Sequence, residues 1–236
     1  MSTAVEILEE LKPLGRASYK KVMVNHGVRE PFFGVKISEL QKIRKRIRKD
    51  YQLALDLYAS SNYDAMYLAG LIADEARMTK RDLQRWVKLA YCAALGGTTV
   101  AWVASESPHG RELALEWIES KEELVAVAGW ATLSSLVSIK PDAELDLAEL
   151  RQLLRRVQKT IHQQPDRARY QMNGFVICVG SYVAALTNDA ILAGEKIGEV
   201  TADLGNNSCQ VPSIPDYIRK VQQRGTIGKK RKTARC

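Results

Sequence analysis

Cysteine and histidine are scarce in this 236-residue chain, and neither is grouped. The four cysteines (Cys92, Cys178, Cys209, Cys236) form no CxxC pair, and His26, His109 and His162 stand far apart, so no metal site is expected. Free thiols are the expectation for a reducing compartment. Long apolar runs are also missing: nothing approaches the roughly 20 residues that span a bilayer. Acidic groups interrupt the apolar pattern of the opening MSTAVEILEELKPLG, which does not fit a secretory signal. These absences point to a cytoplasmic protein with no membrane partner. Period-two alternation is absent as well, leaving no convincing β-strand.

Acidic charge nearly disappears at the C-terminal end. Residues 209–236 hold eight Lys/Arg against one Asp, a net +7 of the whole chain's +8. Such a concentrated basic segment is the electrostatic footprint of a polyanion binder, although a terminal charge run is equally often a solvated arm. The rest of the chain, at 46% hydrophobic and 26% charged overall, has the balance of a globular protein with a substantial core.

Helical periodicity dominates that remainder. Leu40, Ile43 and Ile47 fall on one face of 38–49, with Ser38 and Gln41 spaced as a capping box. Further helices are expected over 63–78, 79–95 (ended by Gly96-Gly97), 99–105, 111–118, 122–139, 147–162, 169–186 and 189–201, with Pro108, Pro141 and Pro165 at boundaries. About ten helices on short links predict antiparallel pairs. Pairs of about 40 residues would stack into an α-solenoid, with a compact helical bundle as the alternative. The expected organisation is one helical-repeat domain, 1–208, followed by the basic segment 209–236.

Four features carry candidate chemistry. The helix at 38–49 leaves Lys42, Arg44, Lys45, Arg46, Arg48 and Lys49 on its solvent side, either a plain solvated face or a phosphate-tracking one. In 98–109, TTVAWVASESPH, Trp102 and Glu106 are four apart on one helix face. A carboxylate beside an indole can stabilise a cation; the alternative is a core anchor and a solvated helix end. The small-residue stretch 125–140 brings Trp130, Ser134 and Ser138 to one side, lining either a groove or a close helix contact, and holds Gly129 inside a helix. In 167–183, Arg169 and Tyr170 precede an apolar helix in which Asn173 is the polar exception and needs a hydrogen-bond partner.

Four stretches, FFGVKISELQKIRKRI (32–47), YLAGLIAD (67–74), AWVASESP and LALEWIES (113–120), together resemble the AlkD-like DNA alkylation repair family, built from HEAT-like helical repeats. The tail NSCQVPSIPDYIRKV…GTIGKKRKTARC resembles the ending of a bacterial subgroup of that family. The resemblance implies a HEAT-like or armadillo-type solenoid whose basic concave face cradles duplex DNA, alkylated DNA included. It also implies an N-glycosylase that releases cationic alkylated purines such as 3-methyladenine or 7-methylguanine, using a carboxylate and indoles that stabilise oxocarbenium charge at the sugar.

The family's catalytic stretch reads roughly S-W-W-D-S-V-D. Aligned on the following proline, Ala104 stands for its Asp and Val100 for its Trp; slipped by two, Trp102 and Glu106 reproduce the Trp-x-x-x-carboxylate spacing. The family's functional Arg falls on Val127, and a second indole near Val176. The expected sites are therefore Glu106 and Trp102 for catalysis, and Lys42, Lys45, Arg48, Arg169, Lys229, Lys230, Arg231 and Lys232 for DNA phosphates. Trp130, Ser134, Tyr170 and Asn173 would line the groove, in a cofactor-free monomer that joins the nucleoid when bound. Two alternatives stand beside the glycosylase: a non-catalytic DNA binder on the same fold, and a solenoid that binds protein or RNA.

Overall fold

A computed structural model describes residues 2–205 and 209–235. Its helices are α1 Ala4–Leu11, α2 Ala17–Asn25, α3 Ile37–Ile47, α4 Tyr51–Ala59, α5 Tyr63–Ile72, α6 Lys80–Leu89, α7 Ala101–Glu106, α8 Gly110–Trp117, α9 Glu123–Ile139, α10 Leu147–Thr160, α11 Asp166–Tyr182, α12 Thr187–Ile197 and α13 Ile214–Gln223. Among the described residues there is no strand, only an isolated bridge between Gly15 and Val35. No single helix is long and apolar enough to cross a membrane.

Side-chain caps begin several helices: Thr3, Asp50, Asn62, Thr79, Asp146 and Ser213 each accept a backbone N–H from the first turn. The expected capping box at Ser38 is not formed. The N-cap there is Lys36, without a side-chain bond, because α3 starts two residues earlier than a Ser38 cap requires. The helix expected over 79–95 stops at Leu89. Gly96-Gly97 does not end a helix but lies in a π-helical turn, Leu95–Val100, that feeds α7 directly. The stretch 63–78 likewise ends early at Ile72, and 169–186 breaks after Tyr182.

The helices form two rows. α5, the π-turn with α7, α9, α11 and α13 pack one on the next, while α4, α6, α8, α10 and α12 pair with them from outside. Outer helices are amphipathic: α6 buries Leu83, Trp86 and Val87 and exposes Lys80, Arg81, Arg85 and Lys88. Inner helices are covered on more sides, and α5 buries all its residues. The result is an all-α solenoid of stacked helix pairs. Gly129, singled out above, has a packing role: a Cβ there would lie 2.8 Å from the Ile118 backbone nitrogen, so α8 and α9 meet closely.

Polar pairs across consecutive repeats fix the stacking register. Lys80 pairs with Glu112 (2.5 Å), Arg111 with Glu149 (2.5 Å), Arg151 with Asp189 (3.0 Å) and Arg156 with Glu119. Exposed pairs of this kind contribute little stability each, so their main effect is on register.

The basic segment is part of this fold. Ile214 and Ile218 of α13 are buried, filling space left by Gly194 and Gly180, where a Cβ would lie about 2.5 Å or less from the isoleucine side chains. The boundary proposed at 208 therefore marks a change in charge, while α13 packs on both α11 and α12. Cys92, Cys178 and Cys209 are free thiols, and Cys236 lies outside the described residues.

Candidate nucleic-acid interface

After α13 the chain turns back and runs along the C-terminal ends of the inner helices in reverse order. Helix ends leave carbonyls unpaired and carry partial negative charge. This strap, residues 225–235, supplies the missing donors. Gly228 N–H donates to the Ser181 carbonyl at the end of α11 (2.9 Å), and Arg231 N–H to that of Ser138 in α9 (2.8 Å). Lys230 Nζ donates to the Val137 carbonyl (2.8 Å) and pairs with Asp142 (2.8 Å). Thr233 Oγ1 and Ala234 N–H both donate to Glu106 Oε1, at 2.5 and 2.6 Å, on the last residue of α7. Arg235 reaches the Gly70 and Ala73 carbonyls at the end of α5, at 3.0 and 3.1 Å, and ion-pairs with buried Glu75.

Arg235 also completes a cavity of about 270 Å³ whose rim is formed by Arg44, Lys45, Arg48, Lys49 and Leu71. Burial, together with the Arg44 guanidinium, lowers Arg235 to about 10, so it remains charged at neutral pH. Lys49 is paired with Glu75 at 2.5 Å, whereas Lys45 and Arg48 have no ion pair among the described residues. Arg48 caps α3 with φ +65°, a conformation that favours glycine. Cationic side chains thus converge on one opening from α3, from the residues after it and from the far end of the chain.

The expected phosphate binders separate accordingly. Lys45, Arg48, Lys229 and Lys232 are exposed and carry no ion pair among the described residues. Lys42 is exposed but paired with Glu39 at 3.0 Å. Lys230 is turned into the protein, and the Arg231 backbone is pinned to α9. Arg169 is a correction: its guanidinium donates to the Gln164 and Thr201 carbonyls, so it ties the start of α11 to the segment after α12.

The expected catalytic pair is not an open site. The Trp102 indole is buried edge-on against Tyr67, with ring centroids 5.5 Å apart, because α5 packs directly on the π-turn and α7. Glu106 is held by the strap. Two groove positions also need correcting. Trp130 is buried against Phe175, with Arg156 over its ring, and Asn173 is buried with its Nδ2 donating to the Pro212 carbonyl at 3.0 Å. Both sit on helix faces turned away from solvent. Ser134 and Tyr170 stay half-exposed, and with Gln171, Gly174 and Cys178 they trace one accessible stripe along α9 and α11. A Cβ at Gly174 would meet nothing within 4 Å. Burial raises the Cys178 thiol to about 11, which leaves it protonated at neutral pH.

Sequence reasoning missed Arg44 and Arg235 as partners in one cavity, and also the segment from Ser213 to Arg224. The i, i+4, i+7 spacing of Ile214, Ile218 and Val221 is the legible sign of that last helix. Nothing local announces the strap, because its contacts join residues up to 165 positions apart. No grouping of metal-ligating side chains occurs among the described residues.

Comparison with known proteins agrees with this architecture. The model of a family described as "DNA alkylation repair enzyme" matches residues 7–197. An uncharacterized protein of Listeria innocua is 32% identical over 230 residues, covering 95% of this chain and 99% of its own. A Listeria monocytogenes protein matches to the same extent. A solved structure described as a new family of proteins related to the HEAT-like repeat DNA glycosylases, with affinity for branched DNA structures, superposes with a TM-score of 0.93. It is 34% identical, and the match covers 100% of both chains.

Proposed function

The chain belongs to the DNA alkylation repair enzyme family, and we propose that within it this protein binds DNA, branched forms included, through its phosphates, without excising bases at Glu106. The observation that carries this reading is the state of the two charged centres. The carboxylate at the position that would stabilise an oxocarbenium ion accepts both a hydroxyl and a backbone N–H from the protein's own tail. The cations around the α3 cavity meanwhile include Lys45 and Arg48, which have no acidic partner among the described residues.

Chemistry at Glu106 would need an open carboxylate next to an accessible indole, and Trp102 is packed on Tyr67 instead. Binding needs only phosphate contacts, which position a duplex without reading its sequence. The solved relative's affinity for branched DNA supports extending the reading to junctions.

The test combines binding with turnover. Anisotropy of labelled duplex and four-way-junction DNA should show affinity that falls steeply with salt, with a log–log slope of about −0.9 per phosphate contact. Methylated duplex should release no 7-methylguanine or 3-methyladenine above spontaneous depurination. Time-dependent release that drops roughly tenfold in Glu106→Gln would overturn the reading and restore a glycosylase. Binding insensitive to salt would remove the phosphate basis altogether.

A further inference from the structure

The strap borders a second cavity, of about 410 Å³, between α11, α13 and its own first residues. This is within the range of roughly 300–1,000 Å³ typical of small-ligand pockets. Its wall contains a hydroxyl that the protein leaves unused: Ser181 Oγ is buried, with 4% of the residue exposed, and has no hydrogen-bond partner. Buried polar groups are normally satisfied, so an orphaned one on a residue that lines a cavity points to a ligand atom.

The charge of the cavity indicates which atom. Arg224 and Lys229 line it without an ion pair among the described residues, and Arg231 adds a third guanidinium or ammonium group. Lys230 also borders it but is engaged by Asp142 and the Val137 carbonyl. The C-terminal end of α11 would by itself repel an anion. The strap reverses this by satisfying the Ser181 carbonyl through Gly228 N–H and by carrying the cations into place.

An aromatic surface completes the set. Tyr217 of α13 lines the same cavity with 48% of the residue exposed, one of the few large apolar-bodied side chains left open to solvent. We propose that this cavity holds one unstacked nucleotide of a DNA strand, its phosphate on Arg224, Lys229 and the Ser181 hydroxyl and its base laid on Tyr217. Bases inside a continuous duplex have both faces covered. Only an unpaired or terminal nucleotide offers a free face to an aromatic ring. The site would therefore favour flapped or branched DNA over plain duplex, and the inference rests on the DNA-binding function proposed above.

The test uses the full-length protein with two labelled probes, a continuous duplex and the same duplex carrying a short single-stranded flap. The wild type should prefer the flap. Tyr217→Ala should weaken flap binding about tenfold while leaving duplex binding unchanged, and Tyr217→Phe, which keeps the ring, should retain the preference. Ser181→Ala should lower flap binding with no loss of thermal stability, since the hydroxyl has no internal partner. Lys45→Gln should weaken both probes alike, which separates the α3 cavity from this one. Equal losses on both probes in Tyr217→Ala, or none on either, would overturn the nucleotide pocket while leaving general DNA binding intact. A wild type that binds neither probe would overturn both readings.

Discussion

At Arg48 the backbone adopts φ +65° and ψ −119°, a sparsely populated region in which a residue other than glycine costs about 1–3 kcal/mol. A helix C-terminus would ordinarily place glycine there. Arg48→Gly should therefore raise stability by about 1 kcal/mol in denaturant titrations while weakening DNA binding, because it removes a guanidinium from the α3 cavity. Stabilisation without loss of binding would dissociate Arg48 from phosphate. Cys178 gives a prediction with a sign in pH. Burial lifts its thiol from the ordinary 9.0 to about 11. The unfolded chain sheds this proton from about 9 upward while the folded chain holds it to about 11, so this thiol's contribution to stability falls as pH rises through that window. Alkylation followed by mass spectrometry should label exposed Cys209 first near neutral pH, and Cys178 only as the pH approaches 11.

The strap is an integral part of the fold. Its residues look like a free arm by composition, yet Ala234 is buried in the main apolar cluster and Arg235 neutralises Glu75. Removing residues 229–236 would leave the Val137, Ser138, Gly70 and Ala73 carbonyls without these donors and leave the buried Glu75 carboxylate with Lys49 as its one remaining partner in the described ion pairs. Loss of one partner from a buried ion pair alone costs about 3–5 kcal/mol. A truncated protein should therefore unfold well below the intact one, whereas truncating a solvated arm would leave the unfolding midpoint unchanged. Glu106→Gln keeps an acceptor for Thr233 and Ala234 and should cost only about 1 kcal/mol. This contrast explains what was legible in the sequence. The outer helices announce themselves through apolar spacing, as Leu83, Trp86 and Val87 do. The all-buried α5 and the π-turn through Gly96-Gly97 give no clean periodicity, so their boundaries are misread. Lys45 and Arg48 can be read from helix phase. Arg235 cannot, because its place is set by contacts with the far end of the chain.

Across the whole molecule, repeats too diverged to align still keep a mechanical register: pairs such as Arg111–Glu149 and Arg151–Asp189, each 38 residues apart, join one outer helix to the next. That regular stacking lines up Ser134, Gly174 and Cys178 as a half-buried inner stripe bordered by the strap. Its side chains are small, so a large ligand can approach the backbone closely. Gly174 separates access from stability: an added Cβ meets nothing within 4 Å, and the intrinsic helix propensity changes in favour of any residue but proline over glycine. Gly174→Trp should therefore fold with an unchanged or slightly higher melting temperature. If DNA lies along this stripe, the indole projects into its path, and affinity for duplex and branched probes should fall together by roughly tenfold or more, about 1.4 kcal/mol. An unaltered affinity in the well-folded variant would move the DNA off the inner stripe, leaving the α3 cavity and the strap's outer side to carry the phosphate contacts.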